Sequence, residues 1–220
     1  MRWGEMSAQL ASGLPPPQRL ALAYCPARAR APTLALLALD VRLASVIRAR
    51  REPIASQMRL AWWRDLVVRS KDQWPQGEPV VAALRSWRDA SGLAPLVDGW
   101  EALLTESLTP AVIAEFVDGR GRAFSSLAIE LGVERPGDAA RAARIWALAD
   151  LAANVSDGAE RDVVIEYGRT LAVPPRLSAS LRPLAVLSAL GAAALEKGSG
   201  ALLSGPRSAL TALRIGLTGR

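Results

Sequence analysis

Apolar residues recur at three- and four-residue spacing along almost the whole chain, and no stretch sustains the two-residue alternation of a half-buried strand. That period admits helices and little else. Proline and glycine punctuate it at helical intervals. The spacing predicts helices over Gln18 to Tyr24, Thr33 to Arg50, Ile54 to Lys71, Pro79 to Ala90 and Leu93 to Thr105. Thr109 is a cap for a helix that opens on Pro110 and runs to about Leu131. Gly137 to Asn154, Ala159 to Leu171 and Arg176 to Glu196 follow, with a last helix from Ser204 or Pro206 to Leu217. Pro26 and Pro32 bracket an arginine-bearing turn. No linker, repeat or heptad run divides the 220 residues. The expectation is a single all-α domain of eight to ten antiparallel helices over residues 18–217, behind an N-terminal extension of residues 1–17.

Composition narrows the chemistry. Histidine is absent, which removes the Ser-His-Asp triad, the imidazole general base and the histidine metal site. The single cysteine, Cys25, excludes an intrachain disulfide and a Cys-rich zinc site. Asp, Glu, Arg, Tyr and an oxygen-bound metal remain. The net charge of +6 is spread along the chain, and 25 of the 27 basic residues are Arg. Such a bias suits an acidic membrane surface or an anionic substrate. It is not a nucleic-acid signature, and Arg120-Gly121-Arg122 is a weak patch, so no nucleic-acid partner is expected. Met1 to Leu14 has no long apolar core behind a basic start, and Leu34 to Leu39 and Leu184 to Leu195 fall short of the about 20 residues a bilayer span needs. The expected location is cytoplasmic, peripheral to the inner face of a membrane.

Four places break the plain core pattern. Asp40 has Leu36, Leu37, Leu43, Ala44 and Ile47 as its helical neighbours, so its carboxylate points inward or lies at the edge of an apolar face. A buried carboxylate needs a partner; an ion pair with Arg42, Arg59 or Arg64 is preferred to a remnant metal-diphosphate site. Trp62 and Trp63 lie about 100° apart on a helix, so one packs inside while the other sits between helices or at the surface. Asp150, Asn154 and Asp157 form one polar stripe on an alanine-thinned helix. Such a stripe can hold Mg²⁺ or face solvent. Asp157 reads better as the turn residue, and Asp150 stays open. Gly119 lies inside an apolar helix, where glycine is tolerable if a backbone or a ligand approaches closely.

Several of these signals occur in a familiar order. Tyr24-Cys25-Pro26 followed by basic residues, a helix bearing Asp40, Glu52-Pro53, and then Arg59-Leu60-Ala61-Trp62-Trp63-Arg64-Asp65 resemble the squalene/phytoene synthase family. The likeness is to its divergent branch, which includes the complex I assembly-factor relatives. Trp87, Leu96-Val97-Asp98-Gly99, Phe116 with Gly119, and Trp146-Ala147-Leu148-Ala149-Asp150 follow, so the resemblance spans Leu20 to Leu217.

The resemblance implies an isoprenoid-synthase-like domain around a central cavity. In active members two Asp-rich DxxxD motifs hold Mg²⁺, which grips the prenyl diphosphates being condensed. Here Asp40 is followed four residues on by Ala44, and Asp150 by Asn154. The resemblance marks Asp40 and Asp150 as catalytic candidates and Asp40, Asp150 and Asn154 as a remnant metal site. Arg28, Arg30 and Arg59 are the diphosphate-binding candidates, and Trp62, Trp63 and Arg64 the candidates for membrane or partner contact. Broken Asp pairs point to a non-catalytic prenyl- or lipid-binding or assembly-factor-like relative, with a partner in respiratory-complex assembly. The alternative is an active Mg²⁺-dependent prenyl transferase of terpenoid or carotenoid biosynthesis.

Overall fold

The computed structural model describes residues 3–48, 53–105, 107–171, 173–198 and 201–219. Arg50, the expected end of one helix, and Glu52, part of the resemblance, lie outside the described residues. Among the described residues there are eleven α-helices and no strand. They are α1 (Trp3–Ser12), α2 (Pro16–Ala23), α3 (Ala27–Arg48), α4 (Pro53–Val68), α5 (Pro79–Leu84), α6 (Ala94–Ala102), α7 (Pro110–Glu130), α8 (Pro136–Asn154), α9 (Gly158–Arg169), α10 (Arg182–Glu196) and α11 (Pro206–Thr218). Lys71–Gln73, Ser91–Leu93 and Ala179–Leu181 are single 3-10 turns.

Most helix starts follow from local chemistry. The Thr109 hydroxyl accepts from the Val112 N–H at the head of α7, and the Asp157 carboxylate accepts from the Glu160 N–H at the head of α9. Asp157 is therefore the cap of a turn. Several segments differ from the sequence expectation; α5, for one, ends at Leu84 and not at Ala90. Trp3–Ser12 is a helix within the expected extension, and it packs on α3 and α5 through buried Met6. Pro32 does not close a turn but lies inside α3. Its ring nitrogen cannot donate to the Arg28 carbonyl, while its own carbonyl accepts from the Trp87 indole N–H at 3.0 Å. α10 begins at Arg182 rather than Arg176, which sets Pro183 in its first turn, where no N–H is needed.

Two helices organise the core. In α3 every residue from Pro32 to Asp40 is buried, so this helix is surrounded on all sides. α8 lies between α7 and α10, and its buried alanines at 139, 142, 143, 147, 149 and 152 let both neighbours approach. Glycine brings α6 and α7 closer still. A Cβ on Gly119 would stand 2.3 Å from the Pro95 carbonyl oxygen and 3.1 Å from Gly99 Cα. The close approach that Gly119 permits is thus backbone against backbone. The interior between these helices is filled by side chains, with Trp87, Trp146, Phe116, Phe124 and Arg120 among the largest that are fully buried. Residues 179–196 have the length and hydropathy of a membrane span, and 67% of that segment is buried inside the fold.

Candidate functional site

One of those fully buried side chains is charged. Arg120 is 1% exposed, at the middle of α7. Phe116 and Phe124 flank it at four residues to either side, so it lies on the apolar face of its own helix. Its guanidinium reaches two carboxylates from two other helices. Toward α3, Nη2 donates to Asp40 Oδ2 at 3.0 Å and to Oδ1 at 3.2 Å, and Nε donates to Oδ1 at 3.3 Å. Toward α8, Nη1 donates to Asp150 Oδ2 at 3.0 Å. Asp40 is 2% exposed and also accepts from the Trp100 indole N–H at 2.8 Å, which brings in α6.

Aromatic rings surround the cation. The guanidinium carbon lies 4.3 Å from the Trp146 ring centre, 4.8 Å from Phe116 and 5.4 Å from Trp100. Desolvated cation–π contacts of this kind contribute about 2 kcal/mol or more. Burial works against the Arg120 charge, and Asp40 and Asp150 more than offset it, so its pKa is raised further above the ordinary arginine value. At Asp40 burial dominates and raises the carboxyl pKa, against the opposing pull of the Arg120 charge. The Asp150 charge adds to the rise, and the Trp100 hydrogen bond resists it.

The two aspartates that the sequence singles out therefore converge, with an arginine between them. The partner of Asp40 is Arg120 and not Arg42, Arg59 or Arg64. Arg42 pairs with Glu78 across α3 and the start of α5, and Arg64 pairs with Asp98 and Glu101 of α6. Arg59 is exposed on α4 beside Trp62. A signal for Arg120 is present in the sequence, as a charge centred on the stripe of Ile113, Phe116, Val117, Ala123, Phe124 and Leu127. The neighbouring glycines and Arg122 make it read as part of a surface patch instead.

The metal-site residues do not fit a Mg²⁺ ion. Arg120 already binds both Asp40 oxygens and one Asp150 oxygen. Asn154 is engaged elsewhere: its Nδ2 donates to the Asp150 carbonyl at 2.7 Å, and its Oδ1 accepts from Arg48 at 3.0 Å. The described residues hold no group of three or more Cys, Asp or Glu side chains placed to share a metal ion. Beside Asp150 opens a cleft of about 230 Å³, lined by Ile47, Arg48, Trp100, Phe116, Asn154 and Val155 among others. That is smaller than the roughly 300–1,000 Å³ of small-molecule pockets.

The remaining candidates lie apart from this cluster. Arg28 and Arg30 are in the first turns of α3, about 18 and about 15 Å along the axis from Asp40 at the α-helical rise. Arg28 donates to the Ser180 hydroxyl at 2.9 Å and Arg30 to the Leu22 carbonyl at 2.9 Å, so both tie helix ends together. Trp63 is buried, and its ring meets Trp62 edge-on at 4.8 Å. Trp62 is 41% exposed, in line with Ile54 and Met58 on the outer face of α4. Of the three residues expected to contact a membrane or partner, Trp62 alone presents a large apolar surface outward. Arg64 is held in the clamp to α6. The chain matches no protein-family model, no curated protein and no solved structure.

Proposed function

We propose that the chain is a non-catalytic relative of the squalene/phytoene synthases, with an isoprenoid-synthase-like helix arrangement, acting as an assembly-factor-like scaffold peripheral to a membrane. The observation that carries this reading is Arg120, whose guanidinium takes the place between Asp40 and Asp150 that a metal cluster would need. Diphosphate activation requires carboxylates free to gather several cations, and the guanidinium already occupies three of the four oxygens of these two. The cleft of about 230 Å³ beside Asp150 supports a protein partner over a long prenyl or lipid cargo held at these aspartates. The alternative, an active Mg²⁺-dependent prenyl transferase, requires Arg120 to leave a site in which it is fully buried.

Incubation of the purified full chain with farnesyl diphosphate or geranylgeranyl diphosphate and Mg²⁺ tests the proposal. The expected result is no condensed product and no diphosphate release, with no heat of Mg²⁺ binding in calorimetry. Product formation that disappears in Asp40→Asn would overturn it.

A further inference from the structure

α11 turns its small residues inward and its large apolar residues outward. Ser208, Ala212 and Gly216, four residues apart, form the buried face. Leu210, Leu213 and Leu217 lie on the other side, exposed at 63%, 46% and 68%. This orientation is imposed by the packing. A Cβ on Gly216 would stand 2.5 Å from the Tyr24 ring, so the face against α2 has no room for a leucine. At the other end of the contact with α10, the Arg182 guanidinium donates to the Ile215 carbonyl and holds the end of α11.

The charge on the segment that carries the leucine stripe is of one sign. From Lys197 onward the sequence contains Lys197, Arg207, Arg214 and Arg220 and no Asp or Glu. Arg207 and Arg214 are exposed, lie three residues before and four after Leu210, and make no ion pair among the described residues. A second copy of the chain on this face would set cations against the same cations. A stripe of leucines on a helix whose own charges are all cations is the pattern of a helix that lies in a lipid–water interface.

We propose that α11 docks the protein on an anionic bilayer, with Leu210, Leu213 and Leu217 among the acyl chains and Arg207 and Arg214 at the lipid phosphates. The inference rests on the peripheral placement proposed above and assigns the surface that makes it.

Vesicle flotation of the full chain tests it, with phosphatidylcholine alone and with phosphatidylcholine mixed with phosphatidylglycerol. Binding is expected to the mixed vesicles and to weaken with salt. The double variant Leu213→Gln/Leu217→Gln should lose affinity on the order of a hundredfold, and Arg207→Gln or Arg214→Gln about fivefold each. Circular dichroism should show all four proteins folded, since the substituted side chains are exposed.

Equal binding to neutral vesicles would overturn the charge argument and with it the proposal. So would self-association that vanishes in the leucine variant, or retention of the chain by an acidic protein with no vesicle binding. If Trp62→Gln abolishes flotation while the leucine variant keeps it, the peripheral placement survives and the assignment to α11 fails. No flotation by any variant or by the wild type sinks both.

Discussion

The Asp40–Arg120–Asp150 cluster and the outer face of α11 break opposite rules. The first puts three charges where apolar side chains belong. The second puts leucines where charges belong. They differ in whether the exception is compensated within the chain. Every guanidinium nitrogen of Arg120 has a carboxylate acceptor, and three rings lie around its plane. Nothing in the described structure covers Leu210, Leu213 and Leu217. A compensated exception ties helices together, while an uncompensated one faces something outside the chain.

The sharpest way to break this comparison is to remove the central cation. Arg120→Leu leaves Asp40 buried without its countercharge and should cost about 3–5 kcal/mol in urea unfolding. Adding Asp40→Leu should recover a large part of the loss. A neutral Arg120→Leu would mean that the cluster does not hold the core. Next in size is Gly119→Ala, whose Cβ meets a backbone carbonyl that cannot move without separating α6 from α7. A loss of about 1–3 kcal/mol is expected, from the same unfolding measurement.

A smaller effect concerns pH. Burial raises the Asp40 carboxyl pKa in the folded state. Between the unfolded value and the raised one, the folded protein keeps a proton that the unfolded chain has released. The contribution of this group to stability is therefore greatest below the unfolded pKa and falls as pH climbs to the folded one. Asp40→Asn removes that dependence, so its stability relative to wild type should improve with rising pH across this window. A trend of the opposite sign would show that the pairing with Arg120 outweighs burial. Smallest of all, Leu213→Gln on α11 should change stability by no more than about 0.5 kcal/mol, in contrast to the cluster. A large loss there would mean that the leucine face is covered within the fold.

Much of the fold was legible because its signals are local. The Thr109 cap, the helix from Pro110, the turn at Asp157 and the apolar surroundings of Asp40 follow from residues within seven positions of one another. That one of Trp62 and Trp63 packs inside while the other does not follows from the 100° between consecutive helical residues; that Trp63 is the buried one does not. Pro32 misled because proline is a local break signal, while the buried surroundings that hold α3 together across it, the Trp87 indole on its carbonyl among them, come from 55 residues away. Arg120 was missed for a similar reason, since its value lies in partners on three other helices. Gly119 was legible as a close approach, but which chain would approach was not.

Residue spacing alone settled that the chain is helical, where most helices begin, and that Asp40 is out of place on an apolar helix, while Asp150 stayed open. Periodicity, caps and proline act over one or two turns and need no knowledge of neighbours. That the two aspartates share one arginine, and that α11 shows its leucines to the outside, came from packing in three dimensions. Asp40 and Arg120 are 80 residues apart, and the side of α11 that faces inward was settled by how much room the Tyr24 ring leaves. Both are matters of what lies next to a residue in space, a relation that spacing along the chain does not carry.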